Sequence, residues 1–222
     1  LNLIILKKIM LKKLISYIYP FTNKIRSKYN GVIELNLING KKLLDSKNAN
    51  YSYGSLQKVL KFSLQKVDLA STRNILILGL GGGSVLSTLR KDLQYRNPIT
   101  AVDIDPVIID IAKSEFGISS DEKTDIICGD ALDTNTFPDK KYDIIIIDLF
   151  IDDKIPKFCF STDFWENIIE NTDPNGNIIF NTLCNSKTDT KPIEDILQQK
   201  NIDFKMFKNV QGTNNVLITN PN

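Results

Sequence analysis

The sequence contains no histidine, and it has only three cysteines among its 222 residues. Without histidine the chain cannot form a Ser-His-Asp triad, a Cys-His dyad or a histidine-ligated zinc site. Any general base must therefore be a carboxylate, a tyrosine or a lysine. Cys128, Cys159 and Cys184 are far apart and form no C-x-x-C pair, so we expect buried unpaired thiols, a reducing compartment and no bound metal.

Long apolar runs and a dominant charge are also missing. The segment Leu1 to Tyr19 is interrupted by two lysine pairs, which excludes a membrane span and a secretory signal. A net charge of +2 without a long basic stripe does not indicate a nucleic-acid binder. We therefore expect a cytoplasmic protein with neither nucleic acid nor a membrane as partner. One hypothesis places the natural start at Met10, with Leu1–Ile9 as upstream sequence.

The first fifty residues predict a small unit of their own. Leu11–Ser27 is interpreted as a basic amphipathic helix that ends near Pro20 or a little later. Gly31–Leu37 alternates apolar and polar residues, which is typical of a strand. Asn39-Gly40 is a strong hairpin-turn signal, and the next five residues return as a second strand. We expect residues 1–50 to form an appendage of one helix and one β-hairpin.

Strands and helices alternate over residues 51–222, which we expect to be one nucleotide-binding domain. The most apolar strand contains four consecutive isoleucines, as in strands covered on both faces. Such alternation predicts an α/β fold with a Rossmann-like, doubly wound and mostly parallel sheet, whose ligands lie beyond the carboxyl ends of its strands. The predicted helices are Tyr51–Val67, Ser84–Leu93, Pro106–Phe116, Thr162–Glu170 and Pro192–Lys200; the predicted strands are Asn74–Leu78, Ile99–Val102, Asp125–Cys128, Tyr142–Asp148, Asn177–Asn181, Phe204–Phe207 and Asn215–Ile218.

The turn after the first of these strands reads Leu-Gly-Leu-Gly-Gly-Gly-Ser. Glycine lets a ligand approach the backbone closely, and the following helix offers free amides. A dinucleotide fingerprint, G-x-G-x-x-G, would need a glycine where Ser84 stands. The G-x-G-x-G spacing of Gly79, Gly81 and Gly83 is instead that of methyltransferase-type folds, and we include Gly82 in the predicted nucleotide-binding loop. A tight turn that serves helix packing alone is the alternative.

Aspartates follow the next strands. Asp103 is placed to accept hydrogen bonds from the ribose hydroxyls of a nucleotide. Asp105 precedes Pro106 and is predicted to cap a helix. Asp130 either accepts a hydrogen bond from an adenine amino group or bonds its own turn.

Three carboxylates follow the isoleucine-rich strand, and such a cluster favours a cationic amine as ligand. Crowded carboxylates raise one another's pKa, which helps one of them act as a base. Asp148, at the end of the strand, is the best candidate for that base. Asp152 and Asp153 are either part of the acceptor site or solvated loop residues.

These motifs together resemble the spermidine synthase family over about Tyr51–Thr182. The resemblance is carried by Ile-Leu-Ile-Leu-Gly-Leu-Gly-Gly-Gly, Val-Asp-Ile-Asp-Pro, Gly-Asp-Ala and Tyr-Asp-Ile-Ile-Ile-Ile-Asp. It implies the S-adenosylmethionine-dependent methyltransferase fold with a reduced N-terminal β-domain. It also implies S-adenosylmethionine or its decarboxylated form as donor, and a homodimer by family analogy. In this resemblance Asp103 holds the ribose, Asp130 the adenine, Asp148 deprotonates an attacking amine, and Tyr53 positions that amine.

The acceptor side departs from the family pattern at three places. Asp152 stands one residue later than the second aspartate of the family's D-x-x-D-P motif, and Asn181 replaces a glutamine at the end of the fifth strand. A proline- and tyrosine-rich loop near the family's C-terminus has no counterpart. The resemblance therefore implies transfer of an aminopropyl or methyl group to a small amine. A nonenzymatic adenosyl-nucleotide-binding relative and a nicotinamide-dependent oxidoreductase are the alternatives.

Overall fold

The computed structural model describes residues 3–46, 55–133, 141–152, 154–184 and 190–220. They form an α/β fold with one three-stranded and one seven-stranded sheet. The helices are α1 (Leu3–Ile15), α2 (Ser55–Leu64), α3 (Ser84–Ser87), α4 (Pro106–Phe116), α5 (Thr162–Asn171) and α6 (Lys191–Gln199); the strands are β1 (Phe21–Ser27), β2 (Gly31–Ile38), β3 (Lys41–Asp45), β4 (Ile75–Leu78), β5 (Ile99–Asp103), β6 (Thr124–Cys128), β7 (Tyr142–Ile147), β8 (Thr172–Leu183), β9 (Phe204–Val210) and β10 (Asn214–Thr219).

The seven-stranded sheet has the order β6-β5-β4-β7-β8-β10-β9. Strands β4 to β8 run parallel, whereas β10 is antiparallel to both β8 and β9. The chain moves to one side of β4 through β5 and β6, and then to the other side through β7 and β8. This reversal confirms the doubly wound, mostly parallel sheet, and it places a crevice at the carboxyl ends of β4, β5 and β7.

Both faces of this sheet are buried. In β4, Ile75 and Ile77 pack into the core beneath α2 and α3, while Leu76 and Leu78 pack against α5 and α6. Trp165 of α5 is fully buried on the second side, where its indole Nε1 donates to the carbonyl of Cys159 at 2.8 Å. Coverage on both faces explains why the parallel strands read as continuous apolar runs rather than as alternating ones.

The N-terminal unit corrects part of the sequence prediction. Helix α1 ends at Ile15, and Phe21–Ser27, predicted as the end of the helix, is strand β1. It pairs antiparallel with β2 over seven residues, so the predicted hairpin is the second half of a three-stranded sheet. Pairing with β2 outweighs the weak local signal of a polar segment that follows a proline. The predicted domain boundary near residue 50 lies outside the described residues.

The three-stranded sheet packs on helix α4. Ile33 and Leu44 are fully buried, and they form an apolar cluster with Ile108 and Ile111 of the helix. At the edge, the Lys42 ammonium lies 2.9 Å from the Glu115 carboxylate. The small sheet is therefore tied to the helix that begins directly beside the crevice.

Surface properties agree only in part with the sequence predictions. Cys159 is buried as expected, but Cys128 is exposed.

Several apolar side chains of α1 and the segment after it are exposed, among them Ile18 at 92%. In the part of the chain that the structure describes, no helix has the length and apolar character needed to cross a bilayer.

The packing of the small sheet on α4 can be tested at Leu44. Leu44→Ala should lower the free energy of unfolding by about 2–4 kcal/mol, because it leaves a cavity in a fully enclosed cluster. Leu43, the half-buried neighbour on the opposite face of β3, offers a matched control, and Leu43→Ala should cost less than about 1 kcal/mol. Urea unfolding monitored by circular dichroism measures both. Equal costs would contradict this packing.

Candidate active site

A pocket of about 320 Å³ opens at the carboxyl ends of β4, β5, β6 and β7. Its volume lies at the lower end of the range for small-molecule sites. Four aspartates line it, together with glycines and a set of apolar and aromatic side chains. Its lining residues include Gly79, Gly81, Asp103, Ile104, Ile108, Asp130, Asp148 and Asp152, with Tyr29, Asn30 and Asn214 from elements outside the parallel strands. The pocket thus lies at the edge of the sheet where the sequence predicts a ligand.

The glycine loop joins β4 to α3 at the centre of the pocket. Gly79 has a φ of +94°, and a Cβ at this position would overlap the carbonyl oxygen of Asp148. Only glycine permits this close approach. Gly79 and Gly81 line the pocket, whereas Gly82 and Gly83 are not among its lining residues. Gly83 instead lies against Ile118, where a Cβ would overlap the isoleucine side chain, so it serves packing of the loop.

Asp103 ties this loop to the end of β5. One carboxylate oxygen accepts hydrogen bonds from the backbone amides of Leu80 at 2.9 Å and Gly81 at 3.3 Å. The other accepts from the amide of Asp105 at 2.9 Å. Burial raises the pKa of Asp103 above its ordinary value, and the three backbone amides oppose that shift. The geometry gives this carboxylate a role in fixing the loop; its contact with a ribose stays a prediction.

Asp148 is the end point of a chain of side-chain hydrogen bonds. The Nδ2 of Asn214 donates to Oδ1 of Asn181, and the Nδ2 of Asn181 donates to Oδ1 of Asp148, both at 2.9 Å. Asn181 is fully buried, so the orientation of its amide is fixed. Burial raises the pKa of Asp148 to about 6, while the hydrogen bond from Asn181 opposes the rise. The sequence prediction expected a raised pKa but attributed it to neighbouring carboxylates, and the principal cause is burial.

The other predicted residues differ in how the structure supports them. Asp130 lines the pocket, and its Oδ1 accepts from the amide of Leu132 at 2.9 Å, so the turn interpretation is confirmed and the contact with adenine stays a prediction. Asp152 lines the pocket and accepts a hydrogen bond from Ser46, which follows the small sheet. Tyr53 and Asp153 lie outside the described residues.

Two pocket residues that the sequence analysis missed come from the turn between β1 and β2. Tyr29 and Asn30 belong to the small N-terminal sheet, yet they line the pocket of the large sheet. Asn30-Gly31 is a second Asn-Gly turn signal, but the prediction of a helix over Leu11–Ser27 left no preceding strand for such a turn to join. Asp105 caps α4 as predicted, with its carboxylate accepting from the amide of Val107.

Comparison with known proteins gives two groups of relatives. A family model described as the spermine/spermidine synthase domain matches residues 58–210. The chain is 34% identical to a polyamine aminopropyltransferase of Sulfolobus acidocaldarius over 122 residues, which cover 51% of this chain and 39% of the relative. It is 28% identical to an eEF1A lysine and N-terminal methyltransferase homolog of Drosophila melanogaster over 169 residues, which cover 68% of this chain and 24% of the relative. The chain spans less than half the length of these curated relatives.

Solved structures show the same fold. A probable spermidine synthase from Corynebacterium glutamicum has a TM-score of 0.61 at 17% identity, and the match covers 91% of this chain and 77% of that chain. Human methyltransferase-like protein 13, solved with SAH, has a TM-score of 0.55 at 22% identity and covers 76% of this chain and 80% of that chain. The architecture of the parallel sheet is therefore that of S-adenosylmethionine-dependent methyltransferases.

The raised pKa of Asp148 predicts a pH-dependent difference in stability. Because the folded pKa is about 6, above the ordinary value near 3.9, the folded state binds more protons than the unfolded state between these values. Stability from this group is therefore lost as the pH rises. The free energy of unfolding of the wild type minus that of Asp148→Asn should fall from pH 4 to pH 7.5 by at most about 3 kcal/mol.

Urea unfolding at several pH values measures this difference. Asp110→Asn, on the exposed face of α4, is the matched control, and its difference from the wild type should vary little with pH. A difference for Asp148→Asn that stays flat, or grows with pH, would show that the carboxylate is not held in an unfavourable environment.

Proposed function

This chain belongs to the spermine/spermidine synthase domain family, and on that premise we propose that it transfers an alkyl group from an adenosyl sulfonium donor to an amine. The donor is S-adenosylmethionine or its decarboxylated form. The observation that carries the proposal is the Asp148 carboxylate, which faces the pocket beside the glycine loop and has a pKa near 6. A carboxylate with this pKa is mostly ionised at neutral pH and can take a proton from an attacking amine.

The pocket fits the nucleoside part of such a donor. Gly79 presents only backbone to the pocket, because the missing side chain leaves room for the Asp148 carbonyl, and Asp103 and Asp130 offer acceptors in the same pocket. When bound, the donor supplies a carbon attached to a positively charged sulfur. The amine nitrogen forms a bond to this carbon while the carbon–sulfur bond breaks, and the sulfur leaves as a neutral thioether. The chain itself contributes orientation of the two reactants and removal of the proton.

The charge of the pocket favours the decarboxylated donor and a small cationic acceptor. Four aspartates line the pocket, and its lining residues, within the described ranges, include neither lysine nor arginine. An ammonium tail finds carboxylate partners there, whereas the carboxylate of S-adenosylmethionine finds no cationic side chain. This arrangement and the aminopropyltransferase relatives support aminopropyl transfer.

A second candidate is methyl transfer to a lysine or N-terminal amine of a protein. It is supported by the relatives named eEF1A lysine and N-terminal methyltransferase homologs, whose match covers 68% of the chain. The same base at Asp148 would serve, since both reactions remove a proton from an amine. The two candidates differ in donor and acceptor, not in the residue that accepts the proton.

Ligand-induced stabilisation separates the candidates. At about 100 times its dissociation constant a ligand should add roughly 2.7 kcal/mol, which appears as a shift of a few degrees in thermal unfolding. We expect a larger shift with decarboxylated S-adenosylmethionine than with S-adenosylmethionine, followed by turnover with at least one diamine. A preference for S-adenosylmethionine would favour the methyl-transfer candidate. Donor binding without turnover of any amine or protein substrate would favour a nonenzymatic adenosyl-binding protein, and a shift with NAD alone would revive the oxidoreductase.

Turnover should depend on Asp148 and on pH. Asp148→Asn should lower kcat/KM by roughly a hundred- to ten-thousand-fold, because the amide cannot accept the proton. In the wild type kcat/KM should fall about tenfold per pH unit below about pH 6, as the carboxylate becomes protonated. Asp110→Asn serves again as control and should leave the profile unchanged. Full activity of Asp148→Asn would exclude this residue as the base.

A further inference from the structure

The turn between β1 and β2 crosses from the small sheet to the pocket of the large one. Tyr29 and Asn30, at the tip of this turn, are lining residues of the pocket although they lie about seventy positions before Asp103 and Asp105 in the sequence. The small sheet therefore does more than pack on α4. It supplies part of the wall of the candidate active site.

A single buried carboxylate fastens the turn in this position. Asp105 is fully buried, and its Oδ1 accepts from the amide of Val107 at 3.0 Å as the cap of α4. Its Oδ2 accepts from the Nδ2 of Asn30 at 2.7 Å and from the hydroxyl of Ser27. The Ser27 hydroxyl oxygen in turn accepts from the amide of Tyr29 at 3.0 Å. A buried charge is tolerated only with such partners, so this network defines the conformation of the turn.

The position of the network identifies the end of the pocket that it serves. Asp105 is two residues beyond Asp103, and both Ile104 between them and Ile108 on the first turns of α4 line the pocket. This end carries the apolar side chains of Ile104 and Ile108, whereas Asp148 follows β7, which lies on the other side of β4. It is suited to a flat, neutral group such as the nucleoside of the donor.

We infer that the β1–β2 turn forms one wall of the nucleoside end of the donor site, with Tyr29 as a binding residue and Asp105 as a positioning residue. The inference rests on the proposed function, since it assumes an adenosyl ligand. The hydrogen bond from Asn30 to Asp105, here called the tether, holds Tyr29 at the pocket. Loss of this bond should let the whole turn move away from the pocket. The donor site is then assembled from both sheets rather than from the parallel sheet alone.

Removal of the hydrogen bond between Asn30 and Asp105 tests the tether. Asn30→Asp keeps the shape of the side chain but places a second carboxylate against Asp105, so the turn should leave the pocket. The dissociation constant for methylthioadenosine should rise roughly tenfold. Methylthioadenosine carries no net charge, so the new carboxylate at position 30 neither attracts nor repels it as an ion.

The double variant Asn30→Asp/Asp105→Asn exchanges donor and acceptor. An asparagine at 105 keeps an oxygen for the cap of α4, and its amide can donate to the new carboxylate at 30. Affinity for methylthioadenosine should return to within roughly threefold of the wild-type value if the pair acts as proposed. Asn23→Asp, at an exposed site of β1, adds the same charge without touching the pocket and should change nothing.

Isothermal titration calorimetry gives the dissociation constants, and thermal unfolding is recorded for each variant. Tyr29→Ala, a change at a partly exposed side chain, covers the case in which Asn30→Asp does not fold, and it should also weaken binding roughly tenfold. Wild-type affinity in Tyr29→Ala, or a weakened Asn30→Asp that the double variant fails to restore, would overturn the inference. Absence of methylthioadenosine binding by the wild type would instead sink the proposed function, before any variant is compared.

Discussion

The contact between the glycine loop and the end of β7 is the constraint on which the rest of the site depends. Gly79 lies so close to the carbonyl of Asp148 that no side chain fits between them. Hydrogen bonds join the strand ends on both sides of this contact, from Gly79 to Val102 at 2.9 Å and from Asp148 to Leu78 at 2.8 Å. The amides of Leu80 and Gly81 that Asp103 binds and the carboxylate of Asp148 are therefore held at fixed positions on two segments in direct contact. A side chain at position 79 would displace all of them together.

Two pocket carboxylates are held in surroundings that disfavour their charge. Burial raises the pKa of both Asp103 and Asp148, so the folded protein holds two carboxylates in an environment that disfavours their charge. The chain limits the cost with backbone amides at Asp103 and with a single asparagine amide at Asp148. At Asp148 that one hydrogen bond offsets burial only in part, and the resulting pKa near 6 suits the proposed role as a base. Asp105, which is also buried, has a full set of donors and serves structure.

The N-terminal sheet and the parallel sheet are joined by apolar packing and by polar anchoring. Ile33 and Leu44 pack on α4, while the Asp105 carboxylate at the start of the same helix binds the β1–β2 turn. One short helix thus determines both where the small sheet rests and where its turn meets the pocket. The family model matches residues 58–210, so the architecture shared with the family is that of the large sheet and its helices.

The sequence by itself determined the succession of strands and helices along the chain, the position of the glycine loop and the aspartates that follow the strands. Apolar runs and turn glycines are local signals, so they can be read without the fold. It also identified Asp105 as a helix cap, since capping involves a residue only two positions away. The tertiary structure alone decided that Phe21–Ser27 is a strand, because its partner β2 outweighs its local preference. It likewise decided the bond between Asn30 and Asp105, 75 residues apart, and the pKa of Asp148. Burial depends on what packs around a group, and no local pattern records it.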